Sequence, residues 1–194
     1  MPERRQSVEA MRPQPQRILI IRLSSIGDII LMTPLLRGLR RRFPAAQIDV
    51  VIKAAYADLL RHHPAVNHLF EVVPESGSAG LRKLGEHLRA QHYDVVLDIH
   101  ENFRSFNLTR AAQAPRVLRH KKFVFRRWLL VNTKLNFMRN VPPIRQRYID
   151  AAAELGVVDD GGPSEIYWSA ADEKAADTAL RNAGWDDKLP LIAL

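Results

Sequence analysis

A short polar turn after the first apolar run holds the residues best suited to chemistry. Ser24, Ser25, Gly27 and Asp28 follow the β-branched run 18–21. A carboxylate in the first turn of a helix stays ionised, and a positioned carboxylate can take a proton from a hydroxyl group as a general base. Asp28 could equally cap the helix, and the residues alone favour the cap. Gly27 permits a positive φ or the close approach of a ligand, or is a plain turn glycine.

A second polar group follows a later apolar run, at 94–99. His100, Asn102, Arg104 and Ser105 stand there within six positions. An arginine can bind a carboxylate or phosphate with two parallel hydrogen bonds, and Asn102 and Ser105 would add donors. The alternative is a surface helix that begins at Asn102, and a lone histidine such as His100 is more often structural than catalytic.

Strands and helices alternate along the chain, which predicts how these groups are positioned. The predicted strands are 18–21, 47–52, 68–73, 94–99 and 164–168. The predicted helices are 28–43, 54–61, 81–91, 103–113, 144–155 and 169–183. Such alternation predicts an α/β fold, a Rossmann-like doubly wound parallel sheet. Parallel strands share one carboxyl edge, where ligands bind, so both polar groups are expected on that edge.

Pro34 falls inside the first predicted helix. It either bends a continuous helix or occupies the first turn of a helix that begins at Thr33, with extended residues before it. We predict the kinked helix, because Ile29 to Leu31 continue the apolar face.

The net charge of +8 is concentrated in one region. Segment 104–147 contains twelve Lys and Arg residues and no acid, and the rest of the chain has 17 basic against 21 acidic residues. This segment is either a solvated face or the contact for an anionic partner: a phosphorylated substrate, a membrane surface or a nucleic acid.

Several function classes lack their sequence signals. No cysteine is present and the seven histidines show no metal-ligand spacing, so we expect no metal. No G-x-G-x-x-G or P-loop follows the first strand. The first sixteen residues lack an apolar signal region and are predicted to be a disordered tail, and no run approaches the ~20 apolar residues of a membrane span.

Three stretches resemble one enzyme family. RILIIRLSSIGDIILMTPLLRGLRRRFP, YDVVLDIHENFRS and RYIDAAAELGV are similar to glycosyltransferase family 9, the ADP-heptose:lipopolysaccharide heptosyltransferases. The resemblance covers about 17–194, which corresponds to the N-terminal half of a family member. One departure is Glu101, which stands where the family commonly has glycine.

The resemblance implies a GT-B architecture and inverting sugar transfer without a metal or other cofactor. Asp28 would be the general base that deprotonates the acceptor hydroxyl. The residues that would shape or line the acceptor site are Ser24, Ser25, Gly27, His100, Asn102, Arg104 and Ser105. The donor would be a nucleotide-sugar, ADP-heptose, and the acceptor an anionic glycolipid, the lipid A–Kdo inner core.

The resemblance also implies a domain organisation and a location. Residues 1–16 would be the tail, 17–168 the acceptor domain, and 169–194 a bridging helix and the first strand of a truncated donor domain. The chain alone is then expected to bind acceptor without transferring sugar. We expect a cytoplasmic monomer, peripheral to the inner membrane, that binds no nucleic acid. The alternative is a non-catalytic module that binds a membrane surface or RNA through 104–147.

Overall fold

The protein is built on a sheet of five parallel strands. The computed structural model describes residues 13–73, 76–120, 132 and 141–186. The strands are β1 (Arg17–Ile21), β2 (Gln47–Lys53), β3 (His68–Val72), β4 (Val95–Asp98) and β5 (Arg116–Arg119). They lie in the order β3-β2-β1-β4-β5 and every neighbouring pair is parallel. The predicted Rossmann-like sheet is confirmed.

Helices cover both faces of this sheet. They are α1 (Ile26–Leu31), α2 (Thr33–Arg42), α3 (Gly77–Ala90), α4 (Phe103–Ala112), α5 (Ile144–Ala151) and α6 (Ala170–Asn182), with 3-10 helices at Ala54–Leu59 and Ala153–Leu155. Ile18 and Ile20 of β1 pack in the core beneath α2 and α5, whereas Leu19 and Ile21 pack in the core beneath α3 and α4. All four side chains are completely buried, which explains why β1 is apolar throughout. No described helix is long and apolar enough to cross a membrane.

The kinked helix predicted through Pro34 is interrupted at Met32 and forms two helices. Met32 lies between α1 and α2 and belongs to neither helix. Pro34 therefore lies in the first turn of α2. Proline has no N–H and its ring clashes with an uninterrupted helix, so a restart that places it in the first turn leaves no donor unsatisfied. The preceding residues are helical and not extended, and the Thr33 hydroxyl donates to the Ile30 carbonyl oxygen across the break (2.8 Å).

Two strand assignments also differ from the prediction. Strand β5 was not predicted because Arg116–Arg119 (RVLR) contains no apolar run, and its residues are only half-buried or exposed. Conversely, 164–168 forms no strand. Side chains of α2 hold this segment instead: the Thr33 hydroxyl accepts from Glu165 N (2.9 Å), and Arg37 Nη1 donates to the Glu165 carboxylate (2.6 Å).

The last residues of the predicted N-terminal tail contact the domain, and residues 1–12 of it lie outside the described residues. Pro15 is buried, and Gln16 N donates to the Asp94 carboxylate (2.7 Å), so these two residues belong to the folded domain. Helix α6 begins with a capping box between Ser169 and Asp172. Residues 121–131 and 133–140 of the basic segment 104–147 lie outside the described residues, as does the chain from residue 187 onward.

Candidate functional site

The candidate site lies at the point of the sheet where the strand order reverses. The chain proceeds from β1 outward to β2 and β3 on one side, and from β4 to β5 on the other. Strands β1 and β4 are therefore the switch point, the place in open α/β sheets where a crevice forms beyond the carboxyl ends. Ile21 at the end of β1 pairs with Asp98 at the end of β4. The two predicted polar groups thus follow adjacent strands.

Asp28 is the centre of the first group. It is the third residue of α1, whose N-cap is Ser25, so Asp28 is not itself the cap residue. Its carboxylate forms an ion pair with Arg22 and accepts hydrogen bonds from Ser25 Oγ (3.1 Å) and the Tyr148 hydroxyl (3.2 Å). About a third of the Asp28 side chain is exposed. Both carboxylate oxygens therefore have partners in the protein, while about a third of the side chain still faces solvent.

These contacts keep Asp28 ionised. Partial burial by itself would raise the pKa of the carboxyl group, but the Arg22 guanidinium and the hydrogen bonds from Ser25 and Tyr148 outweigh it and hold the pKa below its usual value. The negative charge predicted for this position is present. Its cause is a buried arginine and two hydroxyl groups, in addition to the helix start that the sequence indicated.

Arg22 connects the two polar groups. Its side chain is 9% exposed, its Nη2 atom pairs with Asp28, and its Nη1 atom donates to the Ile99 carbonyl oxygen (2.6 Å) directly before His100. The guanidinium carbon also lies 5.4 Å from the centre of the Tyr148 ring. Sequence reasoning did not single out Arg22. A cation placed directly after a completely buried strand was the signal that could have identified it.

Tyr148 reaches the site from α5. Its ring is fully buried and lies edge-on to His120, with 5.3 Å between the ring centres. Burial raises the pKa of the Tyr148 hydroxyl, and the nearby Asp28 charge raises it further, against the opposing effect of Arg22. The hydroxyl therefore stays protonated and donates to Asp28. No local pattern marks this residue, because it lies 120 positions from its partner.

Asp98 organises the second group. Its buried carboxylate accepts four hydrogen bonds: from His100 N (3.2 Å), Glu101 N (2.8 Å), Ser105 Oγ (3.1 Å) and Thr109 Oγ1 (3.3 Å). Two of these donors belong to the loop and two to α4. The loop between β4 and α4 is consequently folded around one carboxylate.

The predicted residues of this loop divide into supporting and exposed ones. Asn102 and Ser105 exchange side-chain to backbone hydrogen bonds (both 2.9 Å) in a capping box, as the structural alternative for Asn102 predicted. The Ser105 side chain is fully buried, so it supports the loop from inside. Asn102 Nδ2 donates to His100 Nε2 (2.7 Å). Arg104 is exposed on the first turn of α4, where it is accessible to an anion.

Comparisons with known proteins agree with this architecture. No protein-family model matches the chain. It is 30% identical over 160 residues to lipopolysaccharide heptosyltransferase 2 of Escherichia coli K12. The matched region is 78% of this chain and 45% of that protein. The crystal structure of a glycosyl transferase family 9 protein from Veillonella parvula matches 93% of the chain and 53% of its own length, with a TM-score of 0.74 and 25% identity. The chain is related to glycosyltransferase family 9.

A second structure gives the same family relationship. The structure of E. coli ADP-heptose lps heptosyltransferase II matches 90% of this chain with a TM-score of 0.65 and 25% identity. It is covered to 52% of its length, so the chain spans about half the length of the relatives it matches. The predicted α/β fold, a Rossmann-like parallel sheet like that of these glycosyltransferases, is confirmed.

Glu101 departs from the family pattern in its side chain but not in its backbone. Its φ is 51°, in the left-handed region that glycine adopts without strain, so the backbone suits the glycine that the resemblance led us to expect here. The Glu101 carboxylate lies 3.3 Å from His120 Nδ1, and both side chains are largely buried. The Glu101 carboxylate thus lies against a histidine that directly follows β5.

The remaining predicted residues of the first turn are less specific. Gly27 lies within α1 without a left-handed φ, so the positive-φ interpretation is wrong. A Cβ atom added there would meet nothing within 4 Å, which leaves open space for a ligand. Ser24 is half-buried. Among the described residues, no group of three or more His, Asp or Glu side chains is arranged to hold a metal ion.

Proposed function

We propose that the chain is the acceptor-binding half of an inverting glycosyltransferase with Asp28 as its general base. The observation that carries this proposal is the state of Asp28: ionised, one-third exposed, and held by Arg22 and Tyr148 beside the switch point of the sheet. A general base must be ionised, oriented and accessible, and Asp28 meets the three conditions. The family relationship supports the reaction class.

In the proposed reaction the acceptor hydroxyl oxygen attacks the anomeric carbon of the donor sugar. The bond between that carbon and the leaving diphosphate breaks, the nucleoside diphosphate departs with the electron pair, and the hydroxyl proton passes to Asp28. A carboxylate with a low pKa is a weak base. The proton transfer to Asp28 therefore occurs late, when the new bond to the anomeric carbon has made the hydroxyl acidic. Arg22 and Tyr148 keep the carboxylate in place and leave its exposed part for the acceptor.

The proposed substrates follow from the relatives and from the charge. We propose ADP-heptose as donor and the anionic inner core of lipopolysaccharide, lipid A–Kdo, as acceptor, without a metal. The twelve cations of 104–147 suit an acceptor that bears phosphates and carboxylates. The residues proposed to shape or line the acceptor site are Ser24, Ser25, Gly27, His100, Asn102 and Arg104, with Ser105 holding their loop.

The proposal assigns different roles to two segments of the chain. Residues 17–168 would bind the acceptor, and 169–194 would lead into the unit that binds the nucleotide-sugar. The described helix of that second segment, α6, buries no residue in this structure, as a bridging element would. The protein would work as a monomer at the inner face of the cytoplasmic membrane.

A transfer assay tests the proposed function. The protein that carries this chain is incubated with ADP-heptose and lipid A–Kdo acceptor in the presence of EDTA. The mass of the glycolipid is then measured by mass spectrometry. We expect one heptose to be added despite the chelator. An acceptor that stays unmodified with and without Mg²⁺ would contradict the proposal.

The basic segment supports a second candidate, a binding module that does no chemistry. Forty-four residues without an acid would bind phosphate-rich surfaces whether or not transfer occurs. Strong vesicle or RNA binding by a protein that transfers no sugar would favour this candidate.

A further inference from the structure

Two phenylalanines at the start of α4 are exposed to solvent. Phe103 is 80% exposed and Phe106 is 50% exposed, although large aromatic side chains are usually buried. Beside them a cavity of about 530 Å³ opens between the end of β3, α3 and α4. Its apolar lining includes Val72, Val73 and Leu81. We call this surface the α3–α4 face. Contiguous exposed apolar side chains of this kind mark interaction sites.

The α3–α4 face is also cationic. Helices α3 and α4 together carry five Lys and Arg residues and one acid. Arg82, Arg89 and Arg104 line the cavity, and the one acid, Glu86, lies 3.4 Å from Arg82. Exposed aromatic side chains surrounded by arginines are the composition of surfaces that lie in the boundary between lipid headgroups and acyl chains.

This face adjoins the candidate site. Phe103 is the first residue of α4 and follows directly the loop that Asp98 organises at the carboxyl end of β4. A membrane that contacts Phe103 therefore lies next to the edge of the sheet at which Asp28 is exposed. The headgroup of a glycolipid could reach the carboxylate while its acyl chains stay in the bilayer.

We propose that the α3–α4 face docks on an anionic lipid bilayer, with Phe103 and Phe106 inserted at the interface and Arg82, Arg89 and Arg104 on lipid phosphates. Charge complementarity selects this partner over a second copy, because a two-fold contact would set five cations against five. Val72, Val73 and Leu81 in the cavity suit acyl chains. Of the described residues that line it, by contrast, Phe103 is the one aromatic side chain on which a base could stack. The docking rests on the proposed function only for its purpose, which is to bring a membrane-bound acceptor to Asp28.

Vesicle co-sedimentation tests the docking. Wild type is expected to bind vesicles of phosphatidylglycerol and phosphatidylcholine more tightly than vesicles of phosphatidylcholine alone. The double variant Phe103→Ser/Phe106→Ser should lose on the order of tenfold in partitioning, because interfacial binding scales with the apolar area inserted. The matched control is Val158→Ser/Trp168→Ser, which changes two exposed apolar residues (77% and 63%) outside the face and should bind like wild type.

Two further measurements distinguish the occupants. Circular dichroism melts of both double variants should match wild type, which shows that a loss of binding is not a loss of folding. Unchanged vesicle binding in Phe103→Ser/Phe106→Ser would overturn the proposal. So would a wild-type dimer in sedimentation velocity that this variant abolishes, or a variant that loses affinity for a single-stranded RNA oligonucleotide while it keeps vesicle binding.

A transfer assay separates this proposal from the proposed function. With the acceptor embedded in vesicles, Phe103→Ser/Phe106→Ser should transfer heptose more slowly, and with the acceptor dispersed in detergent it should match wild type. Equal slowing in both formats would contradict docking as the role of these residues. If wild type transfers no sugar in either format, the proposed function fails, and the vesicle-binding result still decides the docking.

Discussion

Replacement of Arg22 by methionine is the perturbation that the structure specifies most fully. The substitution keeps a long apolar stem but removes the guanidinium. The two polar interactions lost are the buried hydrogen bond to the Ile99 carbonyl oxygen and the ion pair with Asp28, and the guanidinium contact with the Tyr148 ring is lost with them. A hydrogen bond from a charged donor contributes roughly 1.5–3 kcal/mol, and an ion pair with a partly exposed partner about 1 kcal/mol or less. We therefore expect Arg22→Met to lower the free energy of unfolding by about 3 kcal/mol.

The loss should depend on pH in a defined direction. Asp28 has a folded-state pKa below its ordinary value of 3.8. A lowered pKa means that the ion pair stabilises the folded protein above pH 3.8 and that this contribution disappears as the pH falls through the lower folded value. The difference between wild type and Arg22→Met should accordingly be largest at neutral pH and shrink below 3.8. In Arg22→Met the pKa of Asp28 should rise towards its ordinary value.

Urea denaturation at several pH values measures both effects, and thermal melting should show a decrease of about 6–12 °C at neutral pH. Arg41→Met is the matched control, because Arg41 also pairs with a carboxylate, that of Asp160, but is 63% exposed. We expect it to cost less than about 0.5 kcal/mol. A loss in Arg22→Met no greater than in this control, or a loss that stays constant through pH 3.8, would refute the reasoning.

Two further predictions concern the loop after β4. Asp98→Ala leaves two backbone N–H groups and two hydroxyl groups without their acceptor, and should lower the free energy of unfolding by about 3 kcal/mol in urea denaturation; a change below about 1 kcal/mol would contradict the role of Asp98. Glu101→Gly should change stability by less than about 1 kcal/mol, because relief of the left-handed φ offsets the lost contact with His120, whereas Glu101→Val should be the less stable of the two by about 1–2 kcal/mol. Equal thermal melting of the glycine and valine variants would show that the backbone at Glu101 is not strained.

The sheet was predictable from sequence because most of its strands are short apolar runs. Run 18–21 is completely buried and entirely β-branched or leucine, so its type and its parallel pairing could be inferred. Strand β5 escaped because an edge strand needs no apolar run, and its residues are arginine-rich. The interruption of the helix at Met32 was not predicted, because the apolar periodicity continues through it. The position of Pro34, and not the apolar pattern, determines where the helix restarts.

The candidate site was predictable only in part, for a related reason. Asp28 and the loop after β4 are marked by polar residues that directly follow apolar strands, and the topology places such residues at one edge. Tyr148 reaches Asp28 from a helix 120 residues later, and that contact exists only once the chain is folded. Ser105 shows the converse: its polarity indicated a ligand, whereas its hydroxyl group is used inside the loop.

The measurement that tests the central claim most directly is the rate of sugar transfer by Asp28→Asn in the protein that carries this chain. Asparagine keeps the size of the side chain and an oxygen that can accept from Tyr148, but it cannot take a proton. We expect kcat to fall by about 10²–10⁴-fold while the melting temperature and acceptor binding stay close to wild type. Asp58→Asn, at an exposed surface carboxylate paired with Arg61, should keep the wild-type rate. A kcat for Asp28→Asn within a few-fold of wild type would contradict the assignment of Asp28 as the base.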